Sequence, residues 1–393
     1  MPGRVIVITG AAGFLGSAAT VALARSHTVI AIDRRDPSLQ LRHAAPDVRW
    51  HRLDIADREA LRGAFRRARA DHGHIDVVLH LAAYYHFGSD WRPEYERTNV
   101  RGTTFVLEAS RETAVDRLIF ASSIAATRPA PVGQFVDEST PAACDTPYGR
   151  SKALGEQILQ AAAQQQAVVI LRIGGVFSDW CELPPLYSLL RIWAGPPPLN
   201  RVVVGSGKTG FPFIHRADWV RMVEACVDRC QQFHQCEVLM ASQHGAVLHD
   251  ELFAAVHRLR ADDERSEPPR PIRLPVPVGR LALGIKLFCG VLTASAPCER
   301  PWMLRYTDRP WVADTSRTRH KLQWDCRPEL SVLARLPVLL RRFRHDRDHW
   351  ERRNRRRNAL RYQYTPDDIP DERPGGRSGG NFPDSSCFWP AVM

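Results

Sequence analysis

VIVITGAAGFLGSAATVALARS, residues 5–26, passes from a short apolar run through glycines at 10, 13 and 16 into apolar residues at helical spacing. The run before Gly10 reads as a buried strand, and the stretch from Phe14 reads as a helix. A glycine-rich turn at such a junction lets the backbone approach a pyrophosphate at the helix N-terminus, where amide groups point outward. Asp33 ends the next apolar run, HTVIAID (27–33), about 20 residues on, where a carboxylate binds the hydroxyls of an adenosine ribose.

The pattern repeats outward from this unit. Strands are expected at 4–9, 27–33, 48–54, 76–82, 117–123 and 167–173, separated by segments such as DREALRGAFRRARA with helical periodicity. Strict alternation implies an α/β fold, a doubly wound parallel sheet of the Rossmann type with ligands at the carboxyl ends of its strands. Residues 1–175 are expected to form this domain. Residues 176–345 form a smaller C-terminal substrate-binding lobe, returning to the sheet with a helix at 217–230, a strand near 236–241 and a helix at 247–260. Residues 346–393 are left as a basic, disordered tail.

At 393 residues, 44% hydrophobic and 25% charged, the chain has the composition of an ordinary globular protein. The apolar run near Met1 is too short for a signal peptide or a membrane span, and nine scattered cysteines suit reduced thiols, so a cytoplasmic location is expected. Cys226, Cys230, His234 and Cys236 have a spacing that could hold zinc, but the first two fall on an apolar helical pattern, and no metal is assigned. The net charge of +11 is concentrated in the stretch 341–361, where ten arginines face three acidic residues. Without aromatic interleaving this reads as a solvated basic helix rather than a nucleic-acid module. GRLALGIKLFCGVLT (279–293) is too short to cross a bilayer. It reads as a lobe helix or, with the basic stretch, as a weak membrane-surface contact; a homodimer is a further partner to consider.

PYGRSK (147–152) places Tyr148 and Lys152 four residues apart, on one face of a helix. An ammonium beside a phenol favours the phenolate and so lowers its pKa, equipping a tyrosine to pass protons near neutrality. The spacing also occurs by chance, and the surrounding motifs decide between the two readings.

Those motifs resemble the extended short-chain dehydrogenase/reductases of the NAD-dependent epimerase/dehydratase type, from residue 4 to about 345. TGAAGFLG has the family's glycine spacing, with Gly10, Gly13, Phe14, Leu15 and Gly16 at the cofactor. LDI resembles the adenine-contacting segment (Asp54, Ile55), and HLAA, with His80 first, resembles the segment whose Leu81, Ala82 and Ala83 line the cofactor. TNVRGT supplies Asn99, and RLIFASSIAA the serines, with Ser122 toward the cofactor and Ser123 toward the substrate oxygen. LRIGGVF, FPFIHRADWV and WVADTSRTRHKLQW match later landmarks in the same order. The resemblance implies an enzyme in which Tyr148 is the general acid/base and Lys152 tunes it and binds the nicotinamide ribose. Asp33 favours NAD, whereas Arg34 and Arg35 could accommodate the 2′-phosphate of NADP.

The substrate is where the chain departs from the family's nucleotide-sugar enzymes. Gly175 stands where they carry a diphosphate-binding asparagine, and Phe211 where they commonly carry an arginine. Tyr84, Trp180, Tyr187 and Phe211 are expected to form an apolar substrate site, together with Gly175. The small-molecule substrate is therefore expected to be a lipophilic, sterol-like secondary alcohol or ketone, and SSI is similar to the 3β-hydroxysteroid dehydrogenase branch. The alternative is a sugar or nucleotide-sugar epimerase or dehydratase, with Arg191 or Arg201 holding the phosphate.

Overall fold

Seven parallel strands form the central sheet of the computed structural model, which describes residues 3–86, 88–131, 133–260, 267–292 and 301–356. They are β1 (Val5–Thr9), β2 (Thr28–Asp33), β3 (Arg49–Arg52), β4 (Val77–His80), β5 (Arg117–Ser123), β6 (Val168–Ile173) and β7 (Cys236–Ala241). Their spatial order is β3-β2-β1-β4-β5-β6-β7. β1 pairs β2 on one side and β4 on the other, with Ile8 opposite both Ala31 and Leu79. The chain therefore reverses its direction of winding between β1 and β4, and a crevice opens at the carboxyl ends there.

Side chains alternate across each strand, so every strand feeds two cores. Ile6, Ile8, Leu79 and Ile119 face one side, packed by helices α1 (Phe14–Leu23) and, later in the chain, Arg216–Asp228. Val7, Val78, Leu118 and Phe120 face the other, packed in part by α2 (Arg58–His72), α3 (Gly102–Glu112) and α4 (Pro147–Ala161). α2 shows how sequence makes such a helix. Asp57 caps it by accepting the Ala60 N–H at 3.1 Å, Gly73 ends it at φ 72°, and Leu61, Ala64, Phe65 and Ala68 form its buried stripe. Truncating the fully buried Phe65 to alanine would cost about 3–5 kcal/mol.

Helices after β6 among the described residues are α5 (Pro184–Trp193), α6 (Arg216–Asp228), α7 (His249–Arg260), α8 (Val276–Leu292), α9 (Ser316–Leu322), α10 (Val332–His345) and α11 (Arg347–Arg356); α6 and α9 pack on the sheet, and the others build the lobe. Leu186, Leu190, Trp193, Phe253, Leu336, Leu340 and Trp350 share its core. Two short pairings lie apart from the central sheet: Gly175–Phe177 runs parallel to Phe213–His215, and Phe211 lies opposite Val247.

The boundary expected at 345 is corrected by α11. Its Trp350 is fully buried, and its Arg353 gives the buried Glu182 a hydrogen bond from Nε at 3.0 Å. Residues 347–356 therefore belong to the lobe, because an aromatic and an ion pair outweigh the basic composition of the segment. The expected disorder of 366–393 falls outside the described residues. No helix among the described residues is long and apolar enough to cross a membrane. Cys226 and Cys230 are buried at and just beyond the end of α6, and burial pushes both thiols up. Among the described residues, the group close enough to share a metal ion is instead His74, Asp76 and Asp116, which is half-buried.

Candidate active site

A cavity of about 710 Å³ runs from the crevice beside β1 into the lobe. At its sheet end, the space exists because side chains are missing. Gly10 has φ 73°, and a Cβ there would lie 2.7 Å from the Ala82 nitrogen. A Cβ on Gly16 would overlap the Gly10 carbonyl oxygen, so α1 can approach the loop only as glycine. Gly13 caps α1 and would meet only that same carbonyl, at 3.1 Å. Gly10, Gly13, Phe14, Leu15 and Gly16 all border the cavity, as do Leu81, Ala82 and Ala83.

Asp33 ends β2 beside this loop. Its carboxylate accepts the N–H groups of Ala12 at 3.0 Å and Arg35 at 2.9 Å. Burial nevertheless pushes its pKa up, against those two bonds and the charges of Arg35 and Arg34. Arg34 and Arg35 border the same space. Further along, Asp54 and Ile55 line the wall. Burial works to raise the Asp54 pKa, but hydrogen bonds from the Ala56 N–H and Arg97, each at 2.9 Å, hold it below the usual carboxylate range.

The first turn of α4 sets the other end of the crevice. Thr146 caps the helix by accepting the Gly149 N–H at 3.3 Å, and Pro147 opens it. A Cβ on Gly149 would overlap the Ala125 carbonyl oxygen, so the helix can lie directly on the turn that follows Ser123. Tyr148, Lys152 and Ser123 thereby line one cavity. Ser123 Oγ accepts the Ala125 N–H at 3.2 Å and donates to the Ile173 carbonyl at 3.4 Å. Lys152 is buried; its Nζ donates to the Ala121 carbonyl at 2.7 Å and sits 4.8 Å above the Phe120 ring. Burial pulls its pKa down to about 8, with the Glu156 charge opposing. Glu156, one turn further along α4, pairs with Arg172 at 2.8 Å and accepts the Ser122 hydroxyl. Ser122 borders the cavity while its hydroxyl is committed to that carboxylate.

Other expected residues stand behind the wall. Asn99 is buried, exchanging hydrogen bonds with the Tyr84 backbone at 2.6 and 2.9 Å and donating to Ser151 at 2.8 Å. It positions the loop after β4 instead of facing the cavity. His80 bridges Thr9 (2.7 Å) and Thr103 (3.1 Å), and burial holds its pKa down to about 3. Tyr84 packs edge-on to Tyr95, and the cavity is lined instead by its neighbour Tyr85, whose ring meets Tyr148 edge-on at 4.7 Å. Trp180 is covered by the Arg342 guanidinium at 4.1 Å, and the Tyr187 hydroxyl donates to Glu351 at 2.6 Å. Neither reaches the cavity, because α10 and α11 fold over them. Tyr85 was findable in HLAAYYH only by knowing which of two adjacent tyrosines turns inward.

Gly175 and Phe211 do line the cavity. A Cβ at Gly175 would come within 2.7 Å of the Leu183 side chain and 3.1 Å of the Phe211 ring, so a larger residue there would require those side chains to shift. The rest of the lobe wall includes Leu186, Leu189, Ile192, Trp193, Val203 and Leu283.

The chain matches the model of the NAD dependent epimerase/dehydratase family over residues 6–239. It is 36% identical over 180 residues to an L-arabinose 1-dehydrogenase (NAD(P)(+)) of Haloferax volcanii, covering 43% of this chain and 65% of that protein. It is 28% identical over 185 residues to a UDP-glucose 4-epimerase of Drosophila melanogaster, covering 42% and 51%. The chain thus spans about half to two thirds of these relatives. In structure it resembles a UDP-glucose 4-epimerase of Thermotoga maritima solved with UDP-glucose (TM-score 0.63, 20% identity, 87% of this chain and 99% of that one). It resembles equally a dTDP-glucose 4,6-dehydratase of Streptomyces venezuelae solved with NAD (TM-score 0.62, 20% identity, 88% and 99%). These likenesses establish the fold, and the family match extends from β1 into β7, across the glycine loop and the Tyr148–Lys152 helix. The chain belongs to the NAD-dependent epimerase/dehydratase family.

Proposed function

We propose that this protein is an NAD-dependent oxidoreductase that moves a hydride to or from a secondary alcohol or ketone carbon of a lipophilic substrate. The residues present fit the dinucleotide: a glycine loop with no room for side chains lies in front of α1, and a carboxylate is tied to that loop by the Ala12 N–H. Gly10, Gly13 and Gly16 would cradle its pyrophosphate, Asp33 its adenosine ribose, and Lys152 its nicotinamide ribose. When bound, NAD supplies the hydride acceptor.

The chain's own part is proton transfer and orientation. Tyr148 takes the proton from the substrate hydroxyl during oxidation and returns it during reduction. Ser123 holds the same oxygen, and the Ala125 N–H and Ile173 carbonyl orient its hydroxyl. Lys152, fixed on the Ala121 carbonyl one helical turn from Tyr148 and lining the same cavity, favours the phenolate through its positive charge. The Glu156 charge, held by Arg172, opposes the burial that pulls the ammonium's pKa down.

The observation that carries the lipophilic reading is the wall at Gly175 and Phe211. A nucleotide diphosphate buried there would lose hydration without gaining the partners expected at those two positions, a cost of several kcal/mol. A planar apolar skeleton would gain about 25 cal/mol for each Å² it buries. The second reading, a sugar or nucleotide-sugar epimerase or dehydratase, draws on the relatives and is better supported by sequence than any sterol-like substrate. A panel of lipophilic secondary alcohols and UDP-sugars, followed by nicotinamide absorbance and by UDP calorimetry, separates them. Alcohol-dependent NAD reduction without UDP binding supports the first reading, and tight UDP binding replaces it with the second.

A weak attachment to a membrane surface is consistent with the first reading. α8 turns Gly279, Ala282 and Leu283 to the cavity while Val278, Leu281 and Ile285 are exposed, Leu281 by 68%. Flotation with anionic liposomes measures it, and recovery of all the protein in the soluble fraction removes it.

A further inference from the structure

We propose that His249 is a recognition residue for a second oxygen function, a hydroxyl or a carbonyl, at the end of the substrate remote from the reacting carbon. This rests on the lipophilic reading above and concerns the same cavity.

The strand pairings place His249 along the wall. Ser123 lies opposite Ile173, Gly175 opposite Phe213, and Phe211 opposite Val247. Two residues beyond Val247, His249 begins α7, and its N–H donates to the Thr209 carbonyl at 2.8 Å. The cavity wall thus continues from the catalytic serine past Gly175 and Phe211 to this imidazole, which lines the cavity and meets the Trp193 ring edge-on at 5.9 Å.

The charged groups that act on it are already engaged. Asp250 pairs with Arg273 at 2.7 Å, and Asp308 accepts the N–H groups of Ser206 at 2.8 Å and Lys208 at 3.2 Å. Among the described residues, no hydrogen bond is made by either ring nitrogen of His249. Burial holds its pKa down to about 4, with Asp250 and Asp308 opposing, so the ring is neutral at physiological pH. A neutral imidazole offers one donor and one acceptor, whereas a charged one would select an anion. The ring is half-buried, so its nitrogens open onto the cavity; a substrate that fills the cavity takes water from them, and only a hydroxyl or carbonyl restores the hydrogen bond. A hydrocarbon end leaves it unmet. A pocket built this way discriminates by the presence of the oxygen more sharply than by one methylene.

The test compares two secondary alcohols with the same fused-ring skeleton, one carrying a hydroxyl at the far end and one lacking it, using the full chain with NAD. The unmodified protein is expected to favour the diol in kcat/KM by about tenfold or more. His249→Leu should collapse that ratio toward one through KM, with kcat for the diol little changed, and His249→Gln should restore most of it. Calorimetric binding of each alcohol to the NAD-loaded protein should show the same loss and rescue. An equal effect of His249→Leu on both alcohols, or a failure of the unmodified protein to prefer the diol, overturns the proposal while leaving the lipophilic reading intact. Turnover of UDP-sugars with binding of neither alcohol overturns both.

Discussion

The two ends of the cavity make room in opposite ways. At the sheet end, space is created by leaving side chains out: Gly10 and Gly16 sit where any Cβ would strike backbone. In the lobe, space is what remains after side chains are turned inward, with Leu186, Trp193, Val203 and Phe211 forming the wall. A ligand of constant shape can be met by backbone and a few fixed carboxylates. A variable ligand must be met by side chains whose identities are free to change. The first end therefore specifies a chemistry, and the second selects what undergoes it.

The sharpest test of that division is Tyr148→Phe. The ring and its edge-on contact with Tyr85 survive, while the transferable proton is lost. Turnover should fall at least about a hundredfold with NAD affinity little changed. Near-normal turnover, measured under saturating cofactor, would remove Tyr148 from the acid/base role.

Lys152→Met probes what the catalytic end costs the fold. A lysine whose folded pKa is lowered to about 8 favours the unfolded state, where it keeps its ordinary value, whenever it is charged in the folded protein. The penalty, about 3 kcal/mol, is fully present below pH 8 and vanishes as pH rises past the unfolded pKa near 10.4. Methionine removes it but leaves the Ala121 carbonyl without its partner, a loss of about 1–3 kcal/mol that does not vary with pH. The Tm of the variant minus that of the unmodified protein should therefore fall as pH rises from 7 to 10. A difference independent of pH would show that Lys152 keeps its ordinary pKa. Turnover should be lost in the variant at every pH.

Asp33→Ala addresses the cofactor. With the carboxylate gone, the repulsion that excludes a 2′-phosphate goes too, and Arg34 and Arg35 already border the space. The ratio of NAD to NADP affinity should fall by about tenfold or more, read by titration with both cofactors. An unchanged ratio would move the ribose contact elsewhere.

The same contrast explains what could be read without a structure. The six expected strands appear within a few residues of their places because parallel strands covered on both faces are continuous apolar runs, as VIVIT and VVILRI are. The glycine loop, Asp33 and the Tyr148–Lys152 pair were legible because each is a local pattern with a geometric reason. The lobe was not. Trp180 and Tyr187 look like pocket residues until α11 supplies Arg353, Trp350 and Glu351 from more than a hundred residues away. Asn99 and Ser122 carry family positions, but their polar atoms are committed to Tyr84, Ser151 and Glu156, contacts no spacing rule anticipates. His249 has no motif at all; only the cavity singles it out.

Phe211→Ala tests the lobe's side of the comparison and should have the smallest effect. The ring is held edge-on by Trp311 at 5.6 Å and by Phe213 at 6.3 Å, and it lies against Gly175, so it is a fixed part of the wall. It touches no reacting atom in the proposed chemistry. Its contact with an apolar skeleton is the same before and during hydride transfer, so its loss weakens both states equally. Removing about 40 Å² of apolar contact at 25 cal/mol per Å² amounts to about 1 kcal/mol, a rise of about fivefold in KM with kcat within about twofold. A matched thermal melt guards against a general loss of packing, since the variant also gives up two aromatic contacts. A fall in kcat equal to the rise in KM would mean that Phe211 orients the reacting carbon, and the lobe would then share in the chemistry that the comparison assigns to the sheet. An unchanged KM for lipophilic alcohols, with UDP now bound by the variant, would show instead that the ring serves to exclude a phosphate.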